Sequence, residues 1–141
     1  MRHSLTLRSG YIFSGTVRSV QRVVPQNAYS VAVMRITFHV DKGLRGTRTG
    51  QTLVVREWAG LWQSGDHYRP GERVMLFLYP PSKLGLTSPV GGAFGRFPVD
   101  PNGQVIVEPG RPGHTHAHSR EPIRLAPRKF LRMLLRPDYE E

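Results

Sequence analysis

The sequence predicts an all-β chain: a small five- to six-stranded barrel around one core, with a short amphipathic helix at its C-terminal end. Three observations carry this. Glycine and proline are frequent, 15 and 12 of 141 residues, which favours many short elements over long helices. Apolar and polar residues alternate through most of the first half of the chain, the two-residue period of strands. The one stretch with a helical period is the last, over 127–136.

The elements follow in order. "YIFSGTVRSVQRVV", Tyr11 to Val24, places Phe13, Gly15 and Val17 on one side and then slips to Val20. A one-residue slip inside a strand predicts a bulge, with Gly15 at a point of close approach. In Ala28 to Asp41, Ala32, Met34, Ile36, Phe38 and Val40 share one side. Arg35, Thr37, His39 and Asp41 share the other. "PQNA" between these segments is a turn, so the pair predicts a long antiparallel hairpin. "DKGLRGTRTGQ" returns the chain, and "TLVVREW", Thr52 to Trp58, is a third strand.

After a long irregular stretch, "RVMLFLY", Arg73 to Tyr79, is apolar on both sides, as a central strand is. Short strand-like pieces follow at Leu84–Ser88, Arg96–Val99 and Gln104–Val107, the last two joined by the turn "DPNG". Pro127 suits a first helical turn. Phe130, Leu131, Met133, Leu134 and Leu135 then share one arc, opposite Arg128, Lys129, Arg132 and Arg136. The expected organisation is an N-terminal segment 1–10, a barrel domain 11–107, a Pro/His-rich linker 108–126 and the helix 127–136.

Composition narrows the function. There is no cysteine, which removes disulfides, thiolate metal sites and cysteine nucleophiles. No apolar run is long enough to span a bilayer as a helix. The net charge of +10 admits nucleic acid, anionic lipid or acidic polymers as partners. The basic residues are scattered rather than gathered in one run, which favours a solvated surface. A basic amphipathic helix can lie on a membrane, but this one is short, and the expectation is that it packs on the barrel with its arginines in water.

Several stretches "SGYIFSGTVRSV", "MRITFHVDKGLRGTRTGQTLVVREW", "YRPGERVMLFLYP" and "LTSPVGGAFGRFPVD" resemble, in this order, bacterial exported proteins of unknown function. The same order is similar to the netrin-like domain, whose best-known members are tissue inhibitors of metalloproteases. The resemblance covers roughly residues 9 to 107 and implies an OB-like five-stranded barrel. It also implies a periplasmic or extracellular location, although "MRHSLTLRSGYIF" carries no export signal. Those inhibitors chelate the protease metal through an N-terminal cysteine. Here the chain starts Met1-Arg2-His3, so that mode of inhibition does not carry over.

The candidate site residues are few. Trp58, Trp62, His67 and Tyr68 lie within eleven residues, flanked by Arg56 and Arg69. Aromatic rings among arginines suit a protein interface or single-stranded nucleic acid. The competing expectation is that both tryptophans plug the end of the barrel. His114, His116 and His118 alternate in "GHTHAHSR", a pattern that coordinates Zn, Cu or Ni when it is supported. On a loop between Pro112 and Pro122, the expectation is at most adventitious metal. Glu57, Asp66 and Glu72 bracket the long loop and are expected on the surface. There is no G-x-S-x-G, P-loop or dinucleotide fingerprint. The sequence therefore points to a non-catalytic, cofactor-free module acting through protein contacts, in one version by self-association. The alternative is an OB-type single-stranded nucleic-acid binder.

Overall fold

The computed structural model describes residues 2–24, 31–64, 67–111 and 121–136. A helix α1 (Arg2–Leu7) precedes the strands β1 (Tyr11–Val23), β2 (Val33–Arg45), β3 (Thr52–Trp58), β4 (Arg73–Leu78), β5 (Arg96–Pro98), β6 (Val105–Val107) and β7 (Ile123–Leu125), and helix α2 (Pro127–Leu134) ends the fold. The chain forms a five-stranded antiparallel sheet in the order β3-β2-β1-β4-β5 and a two-stranded sheet β6-β7.

The long β1 is the organising strand. It pairs with β2 along its length and with β4 along its first half. Its register against β2 shifts between Val17 and Ser19, so Arg18 is the extra residue and the inward side passes from Val17 to Val20. A further shift lies between Ser14 and Gly15. A Cβ on Gly15 would stand 2.9 Å from the His39 carbonyl oxygen and 3.0 Å from the Phe13 ring. The first bulge lies on β1 and the second on β2, where Asp41 is the extra residue, and both let the hairpin bend round the core.

The two faces of the sheet bury separate clusters. Phe13, Val17, Ile36, Phe38, Val55 and Leu76 belong to the inner one. Ile12, Met75, Phe77 and Phe97 form the outer one with Val105, Val107, Phe130 and Leu134. β4 contributes to both, as its doubly apolar sequence predicts. α1, α2 and the β6-β7 pair thus cover the outer face of β4, β5 and the start of β1. The outer face of β2, β3 and the end of β1 keeps a polar and half-exposed surface.

Some expectations need correction. Among the described residues no ladder closes the five-stranded sheet into a barrel. Instead the connection after β4 runs across to the far edge. Tyr79 N–H donates to Ser88 O (3.0 Å), and Thr87 N–H donates to Arg56 O on β3 (2.8 Å). Leu84–Ser88 is therefore not a strand, although an isolated bridge joins Leu78 and Pro89. The stretch 1–10 carries a helix, tied down where the Arg45 guanidinium donates to Thr6 O and Ser9 Oγ donates to Leu5 O. The segment 108–126 is not wholly a linker, since β7 pairs with β6. Leu135 lies past the last helical turn and is exposed rather than packed.

The "DPNG" turn forms as expected. Asp100 Oδ1 accepts the Asn102 and Gln104 N–H groups, both at 2.9 Å, while Oδ2 takes the Arg124 guanidinium at 2.8 Å. These donors, the Gln104 N–H foremost, hold the Asp100 carboxyl below its ordinary range. The expected turn "PQNA", Pro25 to Ala28, lies outside the described residues.

Candidate functional site

β3 alternates without a break, so that Leu53, Val55 and Glu57 turn inward while Thr52, Val54, Arg56 and Trp58 turn outward. This alternation splits the candidate residues into two groups.

The inward group is built on Glu57. The 3-10 helix Ala59–Ser64 reverses the chain directly after β3 and lays Trp62 over the end of the inner core. Glu57, 3% exposed, accepts hydrogen bonds from Trp62 Nε1–H (3.1 Å) and from the Tyr68 hydroxyl (3.2 Å). The rings of Trp62 and Tyr68 lie 5.7 Å apart, and Tyr68 meets Phe38 edge-on at 5.7 Å. Burial, then the Glu57 charge, pushes the Tyr68 hydroxyl well above its ordinary pKa. Arg96 on β5 closes the network from outside. Its guanidinium lies 4.3 Å over the Tyr68 ring, and its Nη2 donates to Glu72 Oε2 and to His67 O, each at 2.7 Å.

The expectation of surface carboxylates is thus wrong for Glu57. A carboxylate survives in a core only with donors on its oxygens, and two indole and phenol donors supply them. Asp66 lies outside the described residues. Glu72 is partly exposed and bound by the Arg69 N–H (3.0 Å) as well as by Arg96.

The outward group is Trp58 and Arg56. Trp58 is 50% exposed, against 9% for Trp62, so one tryptophan plugs the core end and the other does not. The Trp58 indole packs over Gly60, where a Cβ would come within 2.4 Å of the ring. With Leu61 (40% exposed), Trp58 forms one wall of a shallow groove of about 310 Å³ whose other walls include Tyr79, Pro80, Leu86 and Thr87. No charged residue lines it.

The six predicted residues do not form one surface. His67 is exposed and sits 5.1 Å from the Trp62 ring. Arg69 is exposed at the turn into β4. His114, His116 and His118 lie outside the described residues. Among the described residues no three His, Asp or Glu side chains converge to hold a metal ion.

The sequence reading missed Arg35 as a site residue, together with the groove residues Leu61, Tyr79, Pro80 and Leu86. Arg35 stands directly opposite Arg56 in the β2-β3 register. Its outward position is legible from alternation, but its partner is fixed only by the register of the hairpin.

Comparisons with protein families, with curated proteins and with solved structures found no match to this chain.

Proposed function

We propose that this protein is a non-catalytic binding module that works through protein contacts, using the outer face of β2 and β3 and the adjoining groove. The observation that carries this reading is the half-exposed Trp58. A large ring left in water beside an uncharged groove is the usual anchor of a protein interface. Its seat on Gly60 and its neighbour Leu61 hold it at the surface before any partner arrives, which lowers the entropy lost on binding.

The resemblance to bacterial exported proteins supports a location outside the cytoplasm. The strand order supports an open OB-like barrel in which Thr87 and Arg56 bring the two edges together. The net charge of +10 opposes self-association through one basic face, so the favoured partner is a different protein.

The test is selection of a random peptide library displayed on phage against the whole immobilised chain, with Trp58→Ala as the counter-target. The expected result is enriched peptides whose affinity falls at least about tenfold on Trp58→Ala. Peptides that bind both proteins equally, or no enrichment at all, would sink the reading.

A further inference from the structure

The outer face of the β1–β3 hairpin region carries an unresolved electrostatic conflict. The ladder bonds Val40 N–H to Gln51 O and Ala59 N–H to Ala32 O fix which β2-β3 pairs are hydrogen-bonded. By that parity Arg35 and Arg56 form a non-hydrogen-bonded pair, the closer kind, with Cα atoms about 4.5 Å apart. Two guanidinium groups directly opposite each other repel. Among the described residues no acid forms an ion pair with either arginine. Asp41 pairs with His39 and Arg73, Glu72 with Arg96 and Asp100 with Arg124. Glu57 points to the other side of the sheet.

The rows on either side are not basic. On one side Ser19, Thr37 and Val54 lie in register; on the other, Val23, Val33 and Trp58 do. Val23, Val54 and Trp58 are all exposed. The surface is therefore a cationic centre with a row of apolar and hydroxyl side chains on one side and a wholly apolar row on the other. Along β3, Arg56 and Trp58 point the same way and stand about 7 Å apart.

We infer that this face binds an acidic, extended protein segment, with a carboxylate held between Arg35 and Arg56 and a large apolar side chain two residues away packed against Trp58 and the groove. This rests on the reading of the face as a protein-binding surface and names the chemistry of the partner. A carboxylate accepts from both guanidinium groups at once and turns their repulsion into attraction. The two-residue spacing follows from the period of an extended chain, which presents alternate side chains to one side. A second copy of this chain does not fit, since it brings the same arginines on a chain of charge +10. Single-stranded nucleic acid fits less well. Such binders lay successive bases on successive rings, whereas Trp62 and Tyr68 are buried around Glu57 and the groove beside Trp58 holds no cation.

The experiment uses the whole chain, the peptides selected on it, and a labelled oligo-dT. Enriched peptides should carry Asp or Glu two positions from Trp, Phe or Leu. Their affinity should fall at least about tenfold on Arg35→Glu/Arg56→Glu and should weaken as salt rises. The neutral pair Arg35→Gln/Arg56→Gln, which removes the like-charge contact, should fall in between, with its melting temperature unchanged or raised. Neutral or basic peptides that ignore the arginine changes but are lost on Trp58→Ala would overturn the acidic partner and leave the binding reading standing. Peptides indifferent to both sets of changes would overturn both. Binding of oligo-dT that depends on Arg35 and Arg56, without acidic peptides, would overturn the acidic partner in favour of nucleic acid.

Discussion

The two faces of β3 are made from neighbouring residues of one seven-residue strand, yet they obey different rules. Inward, Leu53, Val55 and Glu57 join the core, and the carboxylate accepts hydrogen bonds from Trp62 and Tyr68. Outward, Thr52, Val54, Arg56 and Trp58 meet water, and Arg56 faces the like charge of Arg35. A buried polar group must be satisfied within the molecule or the fold loses stability. An exposed group is free to be arranged for something outside the molecule. On the function proposed above, one face of β3 serves stability and the other recognition.

The sharpest break in this division is between the two tryptophans. Trp62→Ala should remove about 4 kcal/mol of stability, the range for deleting a buried aromatic side chain, because it opens the inner core and strips a donor from Glu57. Trp58→Ala should change stability by no more than about 0.5 kcal/mol. Denaturant titration of both variants checks this. Equal losses would mean that Trp58 is part of the core and that the outer face is not free for a partner.

That division was only half legible in the sequence. Alternation in "TLVVREW" puts Glu57 on the same side as Leu53 and Val55, which is the signal that it is buried. General rules place glutamate at the surface, and they outweigh a single alternating position unless its donors are known. Those donors come from the 3-10 reversal at Ala59–Ser64 and from Tyr68 across the loop. Neither is encoded in a local period. The long hairpin, the bulge near Val17 and the two-sided β4 were readable because each depends on periodicity alone. The β6-β7 pair was not, because Ile123–Leu125 is only three residues long and follows a polar stretch. Barrel closure was over-read for a similar reason. Alternation shows that strands exist, but whether β3 meets β5 by a ladder or only through Thr87 depends on the course of the β4–β5 connection.

A second prediction tests the inner face by pH. The folded state holds the Tyr68 hydroxyl protonated above its ordinary pKa of about 10. Below that value both folded and unfolded chains keep the proton, and this group makes stability independent of pH. Above it the unfolded chain loses a proton that the folded chain retains. Stability therefore falls as pH rises, by up to about 1.4 kcal/mol per pH unit from this group. Tyr68→Phe should cost about 2 kcal/mol at neutral pH through the lost hydrogen bond to the buried Glu57 carboxylate, and should flatten the alkaline slope relative to the native chain. An unchanged slope in Tyr68→Phe would show the hydroxyl to be open to solvent.

The smallest effect on stability is the most informative about the outer face. Gly60 is overlain by the Trp58 indole, and a Cβ there would meet the far edge of that ring rather than backbone. Gly60→Ala therefore displaces a flexible side chain into water and leaves the core untouched. Stability should shift by only a few tenths of a kcal/mol, because the reduced freedom of the unfolded chain offsets the displaced contact. The exposed indole should nonetheless move, changing its fluorescence, and affinity for Trp58-dependent peptides should drop. Loss of affinity at constant stability means the glycine is there to seat the ring for a partner. A stability loss of about 2 kcal/mol or more would mean instead that the Trp58–Gly60 contact holds the fold together, and the two faces of β3 would no longer divide the labour between them.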